Sequence, residues 1–353
     1  MNWQVKLKEV MSGKRRGVLA SLSRGGLWLA SLCYALGIRL INKRFDKGRG
    51  IEKADVPVIS IGNLTTGGTG KTPLVCYVAA GLRAMEMRVT ILSRGYGSPD
   101  GSANDEALEL DFRLPDVPHL QSPNRKEIAQ IAVNELGAEV LLLDDGFQHR
   151  RLKRDVDVVV VDATNPFGYG FLLPRGLLRE PISSLIRADV VVLNRCNLVS
   201  PDRIEAIKKA IRSCHASVPI AQAHTVATHL MDVTGNQYAA ADYQDERVVA
   251  FCGIGNPESF RATLSKMGVE VEGLREFPDH HAFTREDISG LIKWASGFSG
   301  VSTILCTHKD LVKVGLAKIG DLNLRAVVVS TKIKQREKQF WSTIHSRMQQ
   351  RPQ

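Results

Sequence analysis

The strongest chemical signal in the chain is the run Thr65-Thr66-Gly67-Gly68-Thr69-Gly70-Lys71-Thr72. It follows the β-branched stretch Val56–Ile61 and opens a helix predicted over Lys71–Met85. A strand, a glycine-rich loop and a helix in that order are what a phosphate loop requires. The glycines let backbone N–H groups close around a β-phosphate, and the helix N-terminus adds partial positive charge. Lys71 can reach the β- and γ-phosphates, and the Thr72 hydroxyl can ligate Mg²⁺. Pro73 falls in the first helical turn, where its missing N–H costs little. The loop departs from G-x-x-x-x-G-K-[ST] at its first position, which is Thr65. A merely structural glycine turn is the bland alternative, and the strand-to-helix context weighs against it.

A second candidate is Asp144-Asp145, which closes the apolar run Ala138–Leu143. Carboxylates at the carboxyl end of a buried strand beside a phosphate loop are suited to holding Mg²⁺ and its waters. A turn or a helix cap is the structural alternative. The stretch Gly146-Phe147-Gln148-His149-Arg150-Arg151 follows at once and supplies cations near an anion site. Thr307-His308-Lys309-Asp310, after the apolar run Val301–Cys306, is a weak match to a base-reading [NT]-K-x-D segment. It hints at nucleotide or interdomain contact.

These residues need a scaffold that alternates strand and helix. Arg88–Ser93, Asp157–Val161 and Asp189–Asn194 are further apolar strands, and Asp202–Cys214 is a helix between strands. Continuous apolar runs of this kind are buried on both faces. The expected fold is α/β, a P-loop NTPase-like doubly wound parallel sheet. A smaller α/β domain follows, with strands at Val248–Cys252 and Ala326–Ser330. The expected boundaries are an N-terminal helix over 1–45, a P-loop core over 46–235 and a linker over 236–245. The smaller domain over 246–330, expected to close the site, and a C-terminal helix over 331–353 complete the chain.

The chain has 353 residues, 44% hydrophobic, with net charge +10. Basic residues crowd the stretch before Gly50. That excess fits an anionic membrane surface or a phosphorylated substrate better than nucleic acid, since no aromatic-interleaved basic stripe accompanies it. The six cysteines stand singly, without a C-x-x-C pair, which argues against structural zinc. Gly25–Ile38 is uncharged and mostly apolar. As a helix it would reach about 21 Å, short of a hydrocarbon core of about 30 Å. A spanning helix, a signal peptide and an ordinary buried helix are alternatives. A helix lying in or dipping into the inner leaflet, with Trp28 and Tyr34 near the interface, is preferred. A triphosphate-binding loop belongs on the cytoplasmic side.

Taken together, the motifs resemble the tetraacyldisaccharide 4′-kinase family of the lipid A pathway. The matching segments are Gly62–Pro73, Ser93–Gly97, Asn104–Ala107, Asp144–Leu152, Phe167–Pro181, Gly253–Pro257 and Asp279–His280. The resemblance implies ATP and Mg²⁺ as cofactors and a lipid-linked disaccharide as acceptor. It also implies the inner-membrane surface as partner, through a peripheral or single N-terminal anchor on its cytoplasmic face. No nucleic-acid partner and a monomeric chain are expected. By the same resemblance Asp105 is the catalytic base, supported by His280. Glu180 is a second carboxylate near Mg²⁺, beside Thr72, Asp144 and Asp145. Arg179 with Lys71 stabilises the transferring phosphoryl group. Two other classes compete. A membrane-associated P-loop ATPase switch would carry a signature lysine where this chain has Thr66. A GTPase-like assembly factor has only Thr307–Asp310 in its favour.

Overall fold

The computed structural model describes residues 3–95, 105–279 and 281–351. Its elements run α1 (Trp3–Ser12), α2 (Val18–Asp46), β1 (Val58–Asn63), α3 (Lys71–Arg83), β2 (Val89–Ser93), α4 (Asp105–Arg113), β3 (His119–Gln121), α5 (Arg125–Asn134), β4 (Val140–Asp144), β5 (Val156–Asp162), β6 (Val190–Asn194) and α6 (Pro201–Cys214). They continue β7 (Ile220–Met231), β8 (Gln237–Ala239), β9 (Arg247–Cys252), α7 (Pro257–Met267), β10 (Glu270–Glu276), α8 (Arg285–Ala295), β11 (Thr303–Thr307), α9 (His308–Val314), β12 (Lys318–Ile319), β13 (Leu322–Gln335) and α10 (Glu337–Gln349).

Two compact units emerge. The first comprises residues 1–95, 116–224 and 333–353, and the second residues 96–115 and 225–332. In the first, parallel strands lie in the order β7-β6-β5-β1-β4-β2-β3. The chain enters at β1, in the middle, and winds outward both ways. The strands β1, β4, β5 and β6 are buried along their whole length, as their Val/Ile/Leu runs require. Their carboxyl ends flank the reversal of winding, the place where α/β sheets bind ligands.

In the second unit β10-β9-β11-β13 are parallel neighbours, with β8 and β12 added as short antiparallel partners of β7 and β13. Apolar side chains from β9, β11 and α8 form one of its cores.

The boundaries differ from the sequence reading in three places. The stretch read as a linker carries β8 and a 3-10 turn at Ala240–Tyr243. The division between the units falls inside β7, after His224. Residues 96–115, including α4, group with the second unit, because Arg113 donates to the Val329 carbonyl at 2.9 Å and Phe112 packs on His308 at 5.1 Å.

Candidate active site

At the end of β1, Gly70 caps α3 in a left-handed conformation (φ 84°). A Cβ there would both strain the backbone and collide with the Asn194 side chain. The cap is held by residues from neighbouring strands. Asn194, the last residue of β6, donates to the Thr69 carbonyl at 3.1 Å. Arg195, next in the chain, donates to the Gly68 carbonyl at 2.9 Å and pairs with Asp162 at the end of β5. In a trans peptide the N–H points opposite to the C=O. Tying back the carbonyls of Gly68 and Thr69 therefore turns the amides of Thr69 and Gly70 to the other side, as a phosphate cradle needs.

Thr65 also acquires a physical account. It forms an antiparallel bridge with Leu178, and its carbonyl accepts from the Asn63 amide at 2.8 Å. A bridged, extended position has no need of glycine. Thr66 donates its N–H to the Leu177 carbonyl at 2.8 Å.

Lys71 and Arg179 converge on one carboxylate. Lys71 Nζ lies 3.5 Å from Asp145 Oδ1, and Arg179 Nη1 lies 2.7 Å from Asp145 Oδ2. Arg179 also donates to Gln148 Oε1 at 3.3 Å, and Lys71 to Asn63 Oδ1 at 3.4 Å. Burial pushes the Asp145 carboxyl up, but Lys71, Arg179 and Arg125 outweigh it and hold the group well below the usual carboxylate range. Asp145 is thus ionised throughout the physiological range. Arg125, buried at the start of α5, donates to the carbonyls of Asp144 (2.9 Å) and Asp145 (3.2 Å). Nearby His149 is driven down to about 4 by burial and by the surrounding arginines, so it is neutral at pH 7.

The donor set fits Mg²⁺. Thr72 and Asp144 are buried hard-oxygen groups on adjacent segments, with Asp144 in register with Ile61 of β1. Glu180, expected near the metal, is engaged by donors of the protein itself. It is 2% exposed, and its carboxylate accepts two hydrogen bonds from Arg187 (3.0 and 2.9 Å) and one from Asn42 of α2 (2.9 Å). The 3-10 turn Ile182–Arg187 brings that arginine back over it.

Asp105 is the first residue of α4, and its side chain lies outside the described part of the structure. His280 lies outside the described residues. Its neighbour His281 pairs with Asp287 at 2.9 Å and stacks on Phe277. Thr307–Asp310 is a local cap: Thr307 accepts from the Asp310 N–H at 3.3 Å and donates its hydroxyl to Asp310 Oδ2 at 2.5 Å. Asn194-Arg195, at the end of β6, is by contrast a segment that touches the phosphate loop. Asn63, Arg125, Asp162, Asn194 and Arg195 were not singled out from the sequence. For all but Arg125, the available signal was their place at or just beyond the ends of apolar runs.

A tetraacyldisaccharide-1-P 4′-kinase family model matches residues 24–349. A protein of Anaeromyxobacter dehalogenans strain 2CP-C, named tetraacyldisaccharide 4′-kinase, is 40% identical over 347 residues, 93% of this chain and 91% of its own length. A protein of the same name from Halothermothrix orenii is 36% identical, over 80% of this chain and 81% of its own. The crystal structure of LpxK from Aquifex aeolicus in complex with ATP superposes with a TM-score of 0.71 at 30% identity, covering 92% of this chain and 99% of that one. A phosphate loop backed by Lys71, Asp145 and Arg179, and a match of this extent, lead to one assignment: the chain belongs to the tetraacyldisaccharide-1-P 4′-kinase family.

Proposed function

We propose that this chain transfers the terminal phosphoryl group of ATP to the 4′-hydroxyl of a tetraacyl glucosamine disaccharide 1-phosphate, at the cytoplasmic face of the inner membrane. The observation that carries the reading is the meeting of Lys71 and Arg179 on Asp145 beside the phosphate loop. Two cations fixed there match the charge on the oxygens of a transferring phosphoryl group. The 4′-oxygen forms a bond to the γ-phosphorus, the bond from that phosphorus to the bridging oxygen of ADP breaks, and Asp105 takes the hydroxyl proton. His280 would support Asp105. Thr72 and Asp144, with Asp145 as a further candidate, would hold Mg²⁺, which when bound offsets triphosphate charge. Glu180 is left out of the metal set by its pairing with Arg187 and Asn42.

Membrane attachment falls to α2. Its 29 residues are long and apolar enough to cross a bilayer, and its apolar window is almost wholly exposed. One face, however, is hydrogen-bonded to protein: Tyr34 donates to the Arg179 carbonyl and Asn42 to Glu180. The other face presents Leu29, Leu32, Leu36 and Leu40, with Arg39, Lys43 and Arg44 at or near its carboxyl end. That division favours a helix lying in the interface over one crossing it.

The decisive assay gives purified full-length protein in detergent labelled ATP and the disaccharide 1-phosphate. Labelled lipid is expected. Steady hydrolysis without labelled lipid would sink the kinase reading in favour of an ATPase switch. Asp105→Ala is expected to lower kcat on the order of 10²- to 10⁴-fold while nucleotide still raises the melting temperature. Unchanged turnover would remove Asp105 from the role of base.

A further inference from the structure

We infer that α2 is a positioning element for Arg179 as well as a membrane-facing helix. The inference rests on the reading of Arg179 as a stabiliser of the transferring phosphoryl group.

The segment Leu177–Glu180 is bound from two sides. Toward the phosphate loop, Thr66 donates its N–H to the Leu177 carbonyl at 2.8 Å, and Arg179 donates its own N–H to the Leu64 carbonyl at 2.7 Å. Toward α2, the Arg179 carbonyl accepts from the Tyr34 hydroxyl at 3.0 Å. The Glu180 carboxylate accepts from Asn42 at 2.9 Å. Arg150 closes the arrangement behind, donating to the Asn42 carbonyl at 3.2 Å and pairing with Asp46 at 2.8 Å. The Arg179 backbone is thus clamped between β1 and α2, while its side chain reaches Asp145 and Gln148.

Tyr34 and Asn42 are eight residues apart, which puts them on one stripe of the helix with Ile38 between them. Anchoring alone would be served by apolar contacts on that stripe. Instead two polar groups are spent on one dipeptide, whose first member enters the phosphate site. A buried carboxylate such as Glu180 loses heavily when a donor is removed, so Asn42 fixes the segment and does more than decorate it. Catalysis is sensitive to such placement, because charge stabilisation acts only on groups held where the charge develops.

The test uses full-length protein in detergent with Tyr34→Phe and Asn42→Ala. Tyr34→Phe removes one hydroxyl and keeps the ring, so it preserves packing. The expected result is a drop in kcat of roughly tenfold for each, with KM for MgATP within about twofold. Sedimentation with phosphatidylethanolamine–phosphatidylglycerol vesicles should match the parent for both variants; Tyr34→Phe should also keep the parental melting temperature, whereas Asn42→Ala is expected to lower it by a few degrees. Arg179→Ala sets the reference. If Arg179→Ala keeps parental kcat, the reading of Arg179 fails and the inference with it. If Arg179→Ala is inactive while both α2 variants keep parental kcat, the inference alone fails. Loss of kcat that only tracks loss of vesicle binding or, in Tyr34→Phe, of melting temperature would also overturn it.

Discussion

Two loops in this chain are alike in outline and opposite in chemistry. After β1, Leu64–Gly70 leads into α3, and after β9, Gly253–Asn256 leads into α7. Each follows a buried parallel strand and opens a helix. In the first, side chains from β6 and beyond bind the loop's carbonyls, so amides face outward beside Lys71 and Arg179. In the second, the Gly253 amide is already taken by Asp310 Oδ2 at 3.1 Å, and Asn256 caps α7 by accepting from the Ser259 N–H at 3.2 Å. Asp310 is fully buried, a carboxylate where the first loop has cations. A glycine turn before a helix therefore becomes an anion site only when its amides are left free and its surroundings are positive.

The contrast can be broken at its strongest point by Lys71→Ala. This variant is expected to lower kcat/KM by on the order of 10³-fold or more while the protein stays folded, measured by turnover alongside circular dichroism. Activity within tenfold of the parent would mean that the first loop is not the donor site. A smaller effect should come from Arg195→Ala. Loosening the Gly68 carbonyl is expected to raise KM for MgATP roughly tenfold, to reduce the melting shift produced by ATP, and to leave the KM for lipid unchanged. Equal changes in both KM values would contradict it.

The mildest effect belongs to the second loop. Asp310→Asn keeps an oxygen for Gly253 and is expected to leave ATP binding unchanged. Its signature lies in pH. Burial raises the Asp310 carboxyl above its ordinary value, despite hydrogen bonds from Thr307 and Gly253 that lower it. For such a group the stability is full below the unfolded value of about 3.9 and is lost as pH rises through the folded value. The parent should therefore lose melting temperature across that rise, and Asp310→Asn should lose less. Identical pH profiles would show that Asp310 does not titrate against the fold.

The first loop was legible because strand, glycines, lysine and helix are contiguous, so its meaning is local. The strands β1, β4, β5 and β6 were legible for the same reason, each being an apolar run. Arg195, Asp162 and Arg125 were not, because only sheet register brings β5, β6 and α5 to the ends of β1 and β4. Asp162 and Asn194 stand opposite each other in that register although 32 residues separate them. The pairing of Glu180 was not legible because its partner Arg187 arrives through a 3-10 turn that leaves no periodic trace. The strand β7 escaped notice because its second half is only partly buried and mixes histidine and threonine with small residues. The grouping of α4 with the second unit depends on Arg113 and Phe112, whose partners lie some 200 residues downstream.

The double engagement of α2 also limits how its length can evolve. Each residue of a helix turns the next by about 100°. One residue inserted between Tyr34 and Asn42 would swing Asn42 off Glu180, or else rotate the leucine stripe on the opposite side by the same angle. Insertions close to whole turns, such as seven residues for about two turns, would restore the phase of the two faces but would shift Asn42 along the axis by about 10 Å, away from Glu180. Lineages carrying this helix should therefore vary its ends, beyond Asp46 and before Trp28, far more freely than its middle.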